Sequence, residues 1–193
     1  MAAAPTLIVL VGLPAAGKTT EARRLAQEHG ALRFTPDEWM IPLFGESEAG
    51  GKRDVLEGRL ITVALDALRL GVSAVVDFGC WTRHGRLALR SLAEQGGGAF
   101  ESVYLEVDRA TQLGRITERW ERTPERTFPL TTDDLDRFRE QFEVPEEDEL
   151  QGFPAGAGRP PVPWDNWGAW AEDRWPSLGA GGGAAQADGI AVP

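Results

Sequence analysis

Gly12-Leu13-Pro14-Ala15-Ala16-Gly17-Lys18-Thr19 matches the pattern G-x-x-x-x-G-K-[ST] at every fixed position. The apolar run Leu7-Ile8-Val9-Leu10-Val11 stands before it and reads as a buried strand. Residues 20–28 follow with the pattern of a helix. Strand, glycine loop and helix in that order predict a phosphate cradle, with loop N–H groups and a helix N-terminus turned toward an anion. In such a cradle the Lys18 ammonium reaches the β- and γ-phosphates, and the Thr19 hydroxyl ligates Mg²⁺. Gly12, Ala15, Ala16, Gly17 and Thr20 are the remaining candidate contacts to the nucleotide.

Around this stretch, the alternation of elements predicts an α/β fold with a mainly parallel sheet. Further strands are expected at 31–34, 72–78 and 100–107. Helices are expected at 52–70, closed by Gly71, and at 83–94, stopped by Gly96-Gly97-Gly98. Asp108 can cap a helix running to about Arg122. Thr131 and Thr132 open another that carries Leu135, Phe138 and Phe142. After Phe142 the character changes. Residues 143–149 are acidic and broken by proline, residues 152–163 are rich in glycine and proline, and Trp164, Trp167, Trp170 and Trp175 follow. These tryptophans could dock on the core, stack on a nucleobase or form a dimer seam. Docking is the default, because soluble monomers rarely expose such clusters. Residues 1–150 thus read as one domain, 151–178 as an extension packed on it, and 179–193 as a disordered tail of small residues.

Composition narrows the class. The 193 residues suffice for one α/β domain, and 42% hydrophobic with 26% charged residues is ordinary for a soluble globular protein. A formal net charge of −10 argues against a nucleic-acid partner, since phosphate binding wants a basic face. The single cysteine, Cys80, excludes an internal disulfide framework and fits a reducing compartment. No apolar run approaches bilayer length, and residues 1–5 lack a basic signal-peptide start, so the expected location is the cytoplasm.

Three further places carry candidate chemistry. Asp77 ends the apolar run of the third strand, where it can hold Mg²⁺ through water or cap the next turn. Asp37 follows the second strand, at the strand ends where ligands of open α/β sheets bind. It can take the proton of an acceptor hydroxyl, or serve as a first-turn acid in a helix opened by Pro36-Asp37-Glu38. Arg115, Arg119, Arg122 and Arg126 form an arginine set; the first three share one helix face and can stabilise a moving phosphoryl group. The alternative there is a solvated face laced with Glu118, Glu121 and Glu125.

With these residues in place, the chain resembles the small P-loop phosphotransferases that include chloramphenicol phosphotransferase, zeta toxins and the kinase domain of polynucleotide kinase. The resemblance covers about residues 6–150. It rests on residues 12–19, on Asp37, on Asp77-Phe78-Gly79 with Arg83 and Arg86 after it, and on the arginines ahead of Thr127-Phe128-Pro129. It implies a three-layer P-loop fold with four to five strands, Asp37 as catalytic base, and a lid over about 115–130. It also implies that Arg119 and Arg126 act on the phosphates, with Arg122 a further candidate.

Two departures shape the expectation. Such folds supply a fifth strand and a base-binding loop where this chain turns acidic and Trp-rich. The acceptor region also carries Trp39, Met40, Phe44, Phe78 and Trp81, besides Arg83, which suits a small, partly apolar alcohol better than a polyanion. The reading is therefore an ATP- and Mg²⁺-dependent kinase acting on a hydroxyl of a small molecule, an antibiotic or a nucleoside-like metabolite. Sugar-nucleotide or polynucleotide 5′-hydroxyl kinases are the alternatives within the class. A nucleotide switch that recruits a protein through the Trp-rich segment is the alternative outside it. No guanine-reading Asn-Lys-x-Asp motif is present, so ATP should serve at least as well as GTP.

Overall fold

A computed structural model describes residues 4–46, 48–123, 130–153 and 158–179. Its four strands, β1 (Thr6–Val11), β2 (Leu32–Phe34), β3 (Ala74–Gly79) and β4 (Ala99–Tyr104), form one sheet in the order β2-β3-β1-β4. All three pairings are parallel. The helices are α1 (Lys18–His29), α2 (Asp37–Phe44), α3 (Lys52–Arg69), α4 (Arg83–Gln95), α5 (Arg109–Arg122), α6 (Thr132–Gln141), α7 (Glu147–Leu150) and α8 (Trp167–Arg174).

The period of two along β1 sets the layers. Leu7, Val9 and Val11 face a core shared with α3 and α4. Ile8 and Leu10 face the other way, against Ala22 and Leu25 of α1. A strand buried on both faces reads as a continuous apolar run, which is why residues 7–11 carry no polar residue. The result is the expected three-layer α/β/α sandwich.

Residues 158–179 complete the larger core. Trp167, Ala171, Trp175 and Leu178 are buried in the same cluster as Ile61, Ala64, Leu87 and Leu89. The approach to α3 is close at Gly58, where a Cβ would lie 2.5 Å from Ser177 Oγ and 2.9 Å from the Leu178 nitrogen. No fifth strand occurs among the described residues; the chain after α6 forms α7 and α8 instead. Of the tail expected at 179–193, all but Gly179 lies outside the described residues, as do 124–129 of the expected lid. Among the described residues no helix is long and apolar enough to cross a membrane.

Candidate active site

The loop after β1 turns into α1 through Gly17, whose φ of 105° lies in the left-handed region that favours glycine. Ala15 adopts a φ of 62° without being glycine. Gly12 is required by close approach, since a Cβ there would sit 2.7 Å from the Leu105 carbonyl oxygen. Lys18 Nζ donates to the Leu13 carbonyl at 3.0 Å, curling its ammonium back over the loop. Burial pushes that ammonium below its ordinary value, while Asp77 and Asp37 act against the shift. Phosphate oxygens would add counter-charge to this half-buried lysine.

Asp77 owes its position to an irregularity in β3. Val9 pairs with Val76 and Val11 with Gly79, so β3 carries one residue more than β1 over this stretch. Such a bulge breaks the alternation and re-aims the side chains. Both Asp77 and Phe78 consequently line the cleft above the loop. The Thr19 hydroxyl donates to Asp77 Oδ2 at 2.7 Å, and burial raises the Asp77 carboxyl above its usual range against the pull of Lys18 and Thr19. A hydroxyl and a carboxylate held together beside the loop are hard oxygen donors of the kind that Mg²⁺ takes. The residues thus fit the metal.

Two clefts meet above the strand ends. One, of about 1160 Å³, runs over the loop and is lined by Ala15, Ala16, Gly17, Lys18, Thr19 and Thr20, with Asp77, Arg115 and Arg119 around it. The other, of about 870 Å³, has the aromatic walls Phe78, Trp81, Phe138 and Trp175. Its remaining lining includes Glu48, Asp54, Glu57, Glu140 and Glu143. Pro14, Asp37, Arg53, Phe78, Trp81 and Arg119 belong to both. Asp37 therefore stands on the boundary between the cleft over the loop and a second, aromatic one. It is also the first residue of α2, so the helix-start role and the position at the strand ends coexist.

The other candidates fall in different places. Arg115 lines the phosphate cleft and donates to the Ala15 carbonyl at 3.0 Å, bracing the loop from outside. Arg122 is exposed and pairs with Glu118 at 2.7 Å, away from both clefts. Arg126 lies outside the described residues. Trp39 is 48% exposed and lines neither cleft, because the first turn of α2 points it at solvent. Arg83 also lines neither: its guanidinium is held by Asp148, Glu149 and Glu146 at 2.6, 2.9 and 3.2 Å. Those three carboxylates lie in the acidic segment after Phe142, which is why its sequence neighbours alone did not reveal the pairing.

Several contacts in and around the clefts escaped sequence reading. Arg53 binds Asp37 at 2.8 Å and Glu57 at 3.1 Å. The i,i+4 spacing of Arg53 and Glu57 was readable as a helix pair, but the contact with Asp37 is tertiary. Gln112 donates to the Pro14 carbonyl at 3.0 Å and accepts from Arg139 at 3.0 Å, tying α5 and α6 to the loop. Phe138 packs on Trp81 with ring centroids 5.0 Å apart.

Comparison with known proteins follows the same lines. Residues 7–145 match a family model described as an AAA domain. The chain is 26% identical over 153 residues to an adenylate kinase of Mesorhizobium japonicum, covering 70% of this chain and 77% of that one. Among solved structures, it superposes on a chain of the Pnkp1/Rnl/Hen1 RNA repair complex with a TM-score of 0.58 at 17% identity, covering 74% of this chain and 48% of that one. A gluconokinase from Sinorhizobium meliloti gives a TM-score of 0.52 at 16% identity, covering 93% and 94%. At these identities the solved structures show the fold alone. A likeness to a chain of an RNA repair complex lends no support to excluding nucleic acid as an acceptor.

Proposed function

The chain belongs to the AAA-domain family as a P-loop kinase, and on that premise we propose that it transfers the γ-phosphoryl group of Mg²⁺-bound ATP to a hydroxyl of a small, partly apolar molecule. The observation that carries this reading is the boundary position of Asp37 and Arg119, each shared by the phosphate cleft and the aromatic cleft. Nucleotide enters on the loop side, with Lys18 and the loop N–H groups on its phosphates. Thr19 and Asp77 would hold the Mg²⁺, which would supply screening of the phosphate charge. The acceptor lies on the other side, against Phe78, Trp81 and Trp175.

Asp37 accepts the proton of the acceptor hydroxyl while that oxygen forms a bond to the γ-phosphorus. The bond from the γ-phosphorus to the β–γ bridging oxygen breaks, and its electron pair leaves with ADP. Arg119 donates to the equatorial oxygens, where charge accumulates. The aromatic cleft carries more carboxylates, Glu48, Asp54, Glu57, Glu140 and Glu143 with Asp37, than guanidinium groups, Arg53, Arg119 and Arg174, and that balance disfavours a polyanionic acceptor. Antibiotics and nucleoside-like metabolites with a free hydroxyl fit this chemistry.

The test is transfer of labelled phosphate from ATP to a panel of hydroxylated antibiotics, nucleosides and oligonucleotides. We expect a small alcohol to be phosphorylated, with a KM nearly constant between about 50 and 200 mM salt. Transfer to an oligonucleotide 5′-hydroxyl, with a steep loss of affinity over that range, would replace this reading by a polynucleotide kinase.

A further inference from the structure

We infer that the C-terminal tryptophan segment positions Asp37 through a relay of three side-chain contacts, Trp175 to Glu57 to Arg53 to Asp37. The inference rests on the reading of Asp37 as the acceptor base. Trp175 Nε1 donates to Glu57 Oε2 at 3.2 Å. Arg53 Nε donates to Glu57 Oε1 at 3.1 Å. A second nitrogen of the same guanidinium donates to Asp37 Oδ1 at 2.8 Å. All four residues line the aromatic cleft.

Each link has a physical reason. Asp37 is exposed in the first turn of α2, and nothing in its own helix fixes its rotamer. A guanidinium can fix it, because its nitrogens form a rigid planar fork that bonds two carboxylates at once. Arg53 needs an anchor in turn, and Glu57 supplies it. Glu57 is 6% exposed and has a donor on each side, so each of its oxygens accepts one. An apolar residue would pack at position 57 without the cost of a buried charge. A carboxylate there is explained if it must hold Arg53.

The far end is fixed by the core. Trp175 is 4% exposed, and its segment is seated on α3 at Gly58. Arg59 donates to the Ser177 carbonyl at 3.2 Å, Ser177 Oγ donates to the Val55 carbonyl, and Arg174 pairs with Asp54 at 2.6 Å. The segment packed on α3 and α4 is thereby wired to the Asp37 end of the site.

The test uses three near-isosteric variants of the full chain. Glu57→Gln places an amide N–H₂ against one of two donors, Trp175→Phe removes only the indole N–H, and Arg53→Lys removes the fork. Hydrolysis of Mg·ATP, with water in place of the alcohol, provides the assay, alongside whatever small alcohol wild type phosphorylates. We expect kcat to fall about 10-fold or more in Glu57→Gln and Arg53→Lys, as for a slightly misplaced catalytic group. KM for Mg·ATP should stay near wild type, and pairing either change with Asp37→Asn should add little further loss.

An indole N–H spectrum gives an arm independent of turnover. Trp175→Phe identifies its resonance among the seven tryptophans, and Arg53→Lys should shift that resonance. If Asp37→Asn itself keeps wild-type kcat, the base reading fails. If Asp37→Asn is impaired but Glu57→Gln and Trp175→Phe match wild type, or if the Trp175 resonance ignores Arg53→Lys, the relay is wrong.

Discussion

Replacing Glu149 by glutamine probes how the acidic segment after Phe142 is held. Arg86 is wholly buried, and the Glu149 side chain is 1% exposed. The guanidinium bonds both Glu149 oxygens and donates to the Cys80 carbonyl at 2.9 Å. Glu149 Oε1 also accepts from Arg83 at 2.9 Å and from the Glu146 nitrogen at 3.2 Å. Glutamine offers one acceptor oxygen, so an N–H₂ must face a donor and the Arg86 charge stays buried without its counter-ion. Breaking a buried pair this way costs about 3–5 kcal/mol. Arg86 keeps the Cys80 carbonyl, so the low end, about 3 kcal/mol, is expected.

At about 2–4 °C per kcal/mol for a chain of this length, Tm should fall by about 6–12 °C. Thermal unfolding followed by circular dichroism at pH 7 measures it. The pH dependence checks the same pair. Burial alone would raise the Glu149 carboxyl, but its hydrogen bond and charge contact with Arg86 outweigh that, and its folded value lies below the ordinary 4.5. The stabilisation is then complete above that ordinary value and lost as pH falls through the folded one. Glu149→Gln should lack this acid-range loss. The pair Arg86→Met with Glu149→Leu should regain most of the Tm, since apolar residues of similar volume often replace buried pairs without penalty. A Tm within about 2 °C of wild type for Glu149→Gln would refute the reasoning.

Three other outcomes follow from the site. Lys18→Ala should abolish phosphoryl transfer while circular dichroism reports an intact fold; near-normal activity would move the phosphate site elsewhere. Asp37→Asn should lower kcat by about 10²-fold or more while leaving ATP affinity nearly unchanged, measured by steady-state kinetics and nucleotide titration. Burial pushes the Cys80 thiol up to about 12, so at pH 8 it stays protonated and should react slowly with a disulfide reagent until denaturant unfolds the chain. Fast stoichiometric labelling of the native protein would contradict that.

The parts legible in the sequence were those with a local cause. The loop from Gly12 to Thr19 announces itself because its backbone demands are met within eight residues. The runs that became β1 and β3 are apolar because both faces of the sheet are covered. Caps were readable for the same reason: Asp108 accepts from the Thr111 nitrogen at 2.9 Å, and Thr131 with Asp134 forms a capping box. What stayed hidden was set by tertiary contact. Nothing local marks the extra residue in β3 that turns both Asp77 and Phe78 to the cleft. Arg83 looked like an acceptor contact because its partners lie more than 60 residues away. Trp39 looked like one because aromatics near a binding loop suggest a pocket, yet the helix phase set by Asp37 faces it outward.

The acidity of the chain makes physical sense once its charge is placed. A net charge of −10 opposes the approach of a polyanion. Yet the cleft over the loop has Lys18, Arg23, Arg53, Arg115 and Arg119 against Glu21, Asp37, Glu38 and Asp77, a slight positive excess, and the aromatic one has Asp37, Glu48, Asp54, Glu57, Glu140 and Glu143 against Arg53, Arg119 and Arg174, a negative excess. Both signs occur in each cleft, but the balance of charge changes sign across the boundary where Asp37 and Arg119 stand. On the proposed reaction, a phosphoryl group leaves the positive side and arrives on the negative one. The new phosphomonoester brings close to two negative charges into a space already lined with carboxylates. That repulsion costs the neutral acceptor nothing on entry and falls on the product alone. On that proposal, the charge balance that disfavours a polyanionic acceptor in the aromatic cleft would also favour departure of the phosphorylated product, and an acidic composition would serve turnover beside a nucleotide half with a positive excess.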